Sequence, residues 1–574
     1  MTPVRKPWLK FYGDMPEDIE VPDATIYEWF TQRVARDPGA VAMHYMGRKF
    51  TYRDLLADVD QCAAALSANG IGPGDSVIVS LPNVPAAVIC FYAINKIGAT
   101  AAMTHPLSSR DELKHYIMVT ESRFAVTVDM FYGVFHDLAD ETGLERLLLA
   151  RVSDYLPLAL KAGFALTKGR KIPPVPAGDA LVVTWRDFMA TGRGAADEPA
   201  YVRPIEPDTG CVVLFSGGTT DLPKGIVLTS ANFNALSVMV EWLSGIKTGD
   251  SVLSIMPVFH GFGLGLTVHT ALVLGAPIIL VPEFSPEIYI NNVMKYQPAF
   301  IAGVPTLFQA MMKHPKFGRI RFDNLKAVYS GGDMLSADLK RRFDRAIQAQ
   351  GAKSELTEGY GMTESVTAFA ASPPGKYKEN SLGIPGPGMT VMVADPETGE
   401  ELPYDTAGEI CMFGPTVMQG YLKDPEATAY ALRRHADGIT WLHTGDIGRM
   451  DADGYLYFMG RLKRLVKVSG VSVYPMQVEQ VLESHPLVNR ACVIGIPDDY
   501  QVSSIKAFVM LNDGSLGSDE IRADIIAYCR QRLIKWAVPR HLEFRTSFPM
   551  TRVGKIAYTD LEREEAAKRG LASA

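Results

Sequence analysis

The chain has 574 residues, too many for one compact core, and ordinary domain sizes point to about three or four folding units. With 47% hydrophobic and 21% charged residues, the composition is that of a soluble globular protein. A formal net charge of −7 and a pI near 5.9 exclude a general electrostatic drive toward nucleic acid or an anionic bilayer, so any such contact must be local.

The opening stretch MTPVRKPWLKFYGDMPEDIE places prolines and acids where an export signal needs a continuous apolar run, and none is expected. Residues 52–68 carry a helical period, with Thr51 at the start, Asp54 in place of the Glu of a capping box, and a stop at Gly70. Apolar runs at 76–81, 277–281 and 327–329 read as strands, and their alternation with helical stretches predicts an α/β fold. Residues 251–281 contain no Asp, Glu, Lys or Arg, a length that would suit a membrane span. Pro257, Gly261, Gly263, Gly265, Gly275 and Pro277 argue instead for a buried strand, a short helix and a second buried strand. Cys62, Cys90, Cys211, Cys411, Cys492 and Cys529 form no C-x-x-C pair, which suits a reducing, cytoplasmic compartment.

The segment LFSGGTTDLPKG at 214–225 is the strongest chemical signal. Gly217, Gly218 and Gly225 let backbone N–H groups approach an anion. Ser216, Thr219 and Thr220 add hydroxyls, and Lys224 adds compact positive charge, so the loop is expected to hold a phosphate group, with ATP the obvious guest. It is not the G-x-x-x-x-G-K-[ST] loop, whose lysine leads straight into a helix: Ile226, Val227 and Leu228 read as a second strand.

Further segments follow in order: YGMTES at 360–365, LHTGDIG at 442–448, GRLKRLVKVSG at 460–470 and TRVGKI at 551–556. Together with the phosphate loop they resemble the adenylate-forming superfamily of acyl-CoA synthetases, luciferases and peptide-synthetase adenylation domains, over most of the chain. The resemblance implies a large N-terminal AMP-binding domain of several subdomains, 1–461, and a small mobile α+β C-terminal domain, 462–574, with Lys463 as hinge. It implies that ATP and an acid give an acyl-AMP with Mg²⁺ as cofactor, and that CoA then accepts the acyl group. By the same resemblance Thr363 contacts the α-phosphate and Glu364 helps hold Mg²⁺. Asp446 accepts hydrogen bonds from the ribose hydroxyls, with Arg461 nearby. Ser330, Gly331, Gly332 and Tyr360 enclose the adenine. Lys555 bridges carboxylate and α-phosphate during adenylation, and Lys467 and Gly470 belong to the face that closes the pocket for the thioester step.

His260, in MPVFHGFG, matches the stretch at the mouth of the family's acyl pocket, a buried core histidine being the competing reading. With Gly303 and Gly331-Gly332 it gives a wall of small or apolar groups and no partner for an amino-acid ammonium, which favours a fatty acid. The segment 7–30, PWLKFYGDMPEDIEVPDATIYEWF, and the segment 155–176 resemble those of long-chain fatty acid CoA ligases. The latter, apolar and then basic with Lys161, Lys168, Arg170 and Lys171, offers weak peripheral contact with a membrane, the alternative being a helical hairpin packed on the domain. Asp221, Gln477, Tyr558 and Asp333 depart from the family's usual residues, and Asp333 is expected either to tune the acid pocket or to cap the next helix. The expected activity is that of a ligase joining a medium-to-long-chain fatty acid to CoA. The alternatives are a fatty acyl-AMP ligase serving a carrier-protein pantetheine and a catalytically silent scaffold of the same fold.

Overall fold

The structure, a computed structural model, describes residues 4–176, 178–193, 205–216, 222–283, 285–498, 501–550 and 556–569. Local signals become elements where the physics is local. Thr51 Oγ1 accepts the Asp54 N–H and the Asp54 carboxylate accepts the Thr51 N–H, at 3.1 and 3.0 Å, so the helix Tyr52–Ala68 opens on a complete capping box. Gly70, at φ +80°, turns the chain away after it.

Among the described residues two large sheets dominate. In the first, of eight strands, Ser76–Ser80 lies near the centre beside Thr100–Met103 and Phe124–Val128, and the hairpin of Gly210–Phe215 and Gly225–Thr229 extends it. In the second, of nine strands, Val41–Tyr45, Ile278–Leu280, Val252–Ser254, Phe300–Gly303, Ala327–Ser330 and Leu356–Tyr360 run parallel. Helices Pro85–Lys96 and Ser230–Ser244 are buried over most of their length, the second burying Asn232, Asn234 and Ser237 among its apolar side chains, and share one core with both sheets. The segment 251–281 is a strand, a helix and a strand, but the helix is longer than expected: a π-helical stretch Phe262–His269 continues as Thr270–Leu274. Among the described residues no helix is long and apolar enough to cross a membrane.

A third, five-stranded antiparallel sheet contains Gly408–Phe413, Thr440–Met450 and Leu456–Arg461. After it the core changes. The hairpin Val466–Val468 and Val471–Val473, the helix Pro475–Glu483 and the sheet of Val488–Asp498, Val502–Leu511 and His541–Phe544 bury a separate set of side chains that includes Val478, Leu482, Ile505 and Ile525. In the segment 155–176, Tyr155 and Leu156 are buried and Phe164 packs against the core, while the helix Leu158–Leu166 has no fully buried residue and a 3₁₀ turn, Lys168–Lys171, follows it.

Candidate active site

The hairpin behind the glycine-rich loop is the strand pair expected from Ile226-Val227-Leu228. Its ends are tied: the Lys224 N–H donates to Ser216 Oγ at 3.1 Å, and the Ser216 N–H to the Lys224 carbonyl at 3.0 Å. Gly217, Gly218, Thr219, Thr220 and Asp221 lie outside the described residues, as does Lys555. The Lys224 ammonium is half exposed, 3.6 Å from the Asp424 carboxylate and 5.0 Å above the Tyr421 ring.

Tyr421 links this loop to the YGMTES segment. Its hydroxyl donates to Glu364 Oε1 at 2.9 Å, and the Met418 N–H donates to the Glu364 carbonyl at 2.8 Å. The mass of protein around Glu364 pushes its carboxyl pKa up, chiefly through lost hydration, although the side chain keeps a partly open position. An oxygen donor so placed fits a hard divalent cation, which would offset that desolvation. Thr363 and Glu364 occupy one 3₁₀ turn, and Val366 beyond it holds φ +62°, an uncommon conformation for a β-branched residue. Two glycines make the turn fit. A Cβ at Gly361 would stand 1.6 Å from the Thr367 carbonyl oxygen, and one at Gly261 equally close to that of Val366. Tyr421 lies outside the sequence motifs, and Gly261 and Gly361, though inside them, are not singled out for function there, because each matters through a distant partner or through backbone proximity.

Tyr360 ends the strand Leu356–Tyr360, and its hydroxyl donates to Asp446 Oδ2 at 2.6 Å. Arg461 Nε lies 2.9 Å from Asp446 Oδ1, the two residues being direct partners on adjacent antiparallel strands. Burial, followed by the charge of Asp446, raises the Tyr360 pKa, so the phenol stays a donor. Three residues expected to share one nucleotide thus meet from three strands.

Beside them, Ser330 is buried, the Gly331 N–H donates to the Gly303 carbonyl at 3.0 Å, and Gly332 is exposed at φ +78°. Gly303 is itself buried, and a Cβ there would lie 2.3 Å from Leu307 Cδ2. Asp333 does not cap the following helix. Its Oδ1 accepts the Met334 N–H, whereas Ser336 Oγ accepts the Leu339 N–H and opens Ala337–Ala349. The Leu335 N–H donates at 3.0 Å to the buried Glu358, whose carboxyl is pushed up to about 7 by burial first and then by Asp333. His260 is not a core histidine. It is exposed at the entry to the π-helical stretch, its Nδ1 accepting the Phe262 N–H at 3.1 Å, while surrounding protein lowers its pKa. The core histidine of this region is His269, enclosed between Tyr92 and Asn234 and held down to about 3 by burial.

Lys463 is exposed in the turn Leu462–Arg464, and there the chain changes partners. Arg461 pairs backward with Asp446; Arg464 pairs forward with Glu479 at 2.6 Å and donates to the Val493 carbonyl. Glu479 supplies the carboxylate for that cation, and the Tyr558 ring lies 4.6 Å from it; nothing in the structure explains Gln477. Lys467 and Gly470 are exposed on the next hairpin, Gly470 at φ +80°. Across the joint, Gln480 Nε2 approaches Met334 Sδ at 3.7 Å.

The AMP-binding enzyme family model matches residues 30–422, and the model of that family's C-terminal domain matches 477–555. The chain belongs to the AMP-binding enzyme family. A long-chain-fatty-acid–CoA ligase of Bacillus subtilis (strain 168) is 34% identical to this AMP-binding enzyme over 567 residues, 98% of both chains. A feruloyl-CoA synthase of an Amycolatopsis species is 32% identical over 541 residues, 93% of this chain and 98% of its own. In fold, the enzyme superposes on the crystal structure of an anthranilate CoA ligase in complex with anthranoyl-AMP with a TM-score of 0.79 at 22% identity, covering 98% of this chain and all of that one. The α/β architecture is therefore that of the adenylate-forming enzymes, with the large N-terminal part and the small C-terminal part expected from the sequence.

Proposed function

We propose that this AMP-binding enzyme is an ATP-dependent fatty acid CoA ligase that activates a medium-to-long-chain acid as acyl-AMP and transfers the acyl group to CoA. The observation that carries the reading is the convergence of Tyr360, Asp446 and Arg461 with Glu364, Tyr421 and Lys224. The full-length likeness to a fatty acid ligase supports the choice of acid over the shorter match to the aryl enzyme.

In the first step a carboxylate oxygen of the acid attacks the α-phosphorus and pyrophosphate leaves; in the second the CoA thiolate attacks the acyl carbon and AMP leaves. Lys224, Ser216 and the intervening loop bind phosphate. Asp446 takes the ribose hydroxyls, Arg461 contacts the nucleotide, and Tyr360 with Ser330, Gly331 and Gly332 encloses the base. His260 and Gly303 border the acyl group. Glu364 would hold Mg²⁺, which supplies charge neutralisation at the phosphates, and Thr363 orients the α-phosphate. Lys555 orients the acid for adenylation, while Lys467 and Gly470 close the site for thioester formation after rotation of 462–574 against 1–461 about Lys463. The test is CoA-dependent AMP release with Mg²⁺ and ATP over straight-chain acids from acetate to oleate and over aryl acids. A maximum among medium or long acids is expected. An aryl maximum overturns the acid class, and acyl-AMP that accumulates without thioester overturns CoA as acceptor.

The helix Leu158–Leu166 supports a peripheral location on an anionic membrane. Leu158, Leu160 and Leu166 are exposed, and Lys161, Lys168, Arg170 and Lys171 accompany them, Lys168 pairing with Glu283. The six cysteines are buried and unpaired, which supports a reducing, cytoplasmic compartment. Replacing the four basic residues by Gln is expected to abolish co-sedimentation with anionic phospholipid vesicles without changing activity on a micelle-free, medium-chain acid. Unchanged sedimentation overturns the membrane contact.

A further inference from the structure

Asp446 lies in an irregular stretch of its strand. Glu409 pairs with Ile447 and Cys411 with His443, so a single residue, Ile410, faces three, Thr444, Gly445 and Asp446. Two surplus residues expel this segment from the ladder with Gly408–Phe413, and on that side its backbone groups need other partners. They find them locally. Thr444 Oγ1 donates to the Ile410 carbonyl at 2.7 Å and accepts the Asp446 N–H at 3.0 Å, and Gly445 takes φ +68°.

The remaining tie is a carboxylate. Glu409, 2% exposed on the neighbouring strand, accepts the Gly445 N–H with Oε1 at 2.9 Å, and its Oε2 lies 2.7 Å from His443 Nδ1. Both oxygens are thus used on the two sides of Thr444. His443 is fixed from its other edge as well, its Nε2 lying 2.8 Å from that of His435. Cys411 Sγ approaches the same His443 nitrogen at 3.5 Å, so Glu409, Cys411 and His443 converge on one imidazole edge. Beyond this buried clamp the bulge delivers the Asp446 carboxylate to Tyr360 and Arg461.

We propose that Glu409 is a positioning residue for the nucleotide site, its carboxylate holding the 444–446 bulge through Gly445 and His443 so that Asp446 is presented to the ribose. The inference rests on the ribose role proposed above for Asp446. It explains why an ionisable group is kept in a sheet interior, where a buried carboxylate is unfavourable unless every oxygen is satisfied. Glutamate suits the task because one planar group spans a backbone N–H and a ring N–H at once, and a buried charged acceptor makes both bonds stronger than a neutral one would.

The test compares wild type with Glu409→Gln, Asp446→Asn and the double variant, each titrated with ATP and with 2′,3′-dideoxy-ATP. Glu409→Gln keeps size and one acceptor but cannot accept from both partners as the carboxylate does. It is expected to raise the KM for ATP about tenfold, the worth of one charge-assisted hydrogen bond, and to lose a matching part of the preference for ATP over the dideoxy analogue. The KM values for acid and CoA should stay close to wild type, and the double variant should be no worse than Asp446→Asn alone. Should Glu409→Gln not fold, Glu409→Asp, which draws the carboxylate back by one methylene, takes its place in the same cycle. If Asp446→Asn abolishes the sugar preference while the Glu409 variant retains it, the positioning role is overturned with the ribose reading intact. If Asp446→Asn itself retains the preference, the ribose reading fails, and the proposal with it.

Discussion

Glu358 is a carboxyl group buried to 5% exposure whose Oε1 accepts a single backbone N–H, that of Leu335, and whose pKa burial pushes up to about 7. An unfolded Glu titrates near 4.3, so between these values the folded chain holds the proton that the unfolded chain has lost. The stabilisation is complete below the lower value and disappears as pH rises through the higher one, about 4 kcal/mol at most. Glu358→Gln keeps the acceptor and cannot ionise. The wild-type N-terminal melting temperature should therefore fall between pH 5.5 and pH 8 while that of the variant falls less, so that the variant is the more stable at pH 8. Parallel curves would remove Glu358 from any account of the loop it anchors. At this scale legibility followed contiguity. Tyr360, Glu364, Asp446 and Arg461 stand inside motifs and could be read from them, whereas Tyr421, Asp424, Glu358 and Glu409 act through partners dozens of residues away and leave no local pattern.

Elements declared themselves where their determinants are short in range. The capping box at Thr51 and Asp54 and the apolar runs of the parallel strands need only a few neighbouring residues, and the structure places those elements as expected. The helix after Phe262 was less legible, since its π-helical start depends on contacts such as Thr270 Oγ1 donating to the Gly265 carbonyl and on Gly261 lying against Val366. The turn Thr363–Ser365 shows the same dependence, being shaped by the positive φ of Val366 and the lack of a side chain at Gly361. Gly361→Ala adds one methyl group at a point 1.6 Å from a carbonyl oxygen, so the backbone carrying Glu364 must move. Misplacement of that kind is expected to cut kcat at least about a hundredfold in adenylation assays, with thioester formation from supplied acyl-AMP much less affected. Equal loss in both half-reactions would show that the turn serves stability rather than the geometry around Glu364.

At the scale of the molecule several buried clusters lie before the turn Leu462–Arg464, and a separate set lies after it. Arg461 pairs backward with Asp446 and Arg464 forward with Glu479, and the exposed Lys463, proposed above as the hinge, stands between them. The contact of Gln480 with Met334 brings the C-terminal helix against the same loop that Glu358 anchors, so movement about the joint would expose that loop. In the function proposed above, two reactions share one site and would call for such a movement, because a group that orients the acid for adenylation must make way before the pantetheine thiol can reach the acyl carbon. Proline suits a 3₁₀ turn, having φ near −65°, and so Lys463→Pro should be accommodated in the present arrangement while resisting the dihedral change that rotation requires. Acyl-AMP formation should then stay within about threefold of wild type and its conversion to thioester fall at least about tenfold, the signature of a gating step rather than of lost chemistry. Pre-steady-state measurement of pyrophosphate release and of thioester separates the two. Slower adenylation with normal thioester formation would place the moving joint somewhere other than Lys463.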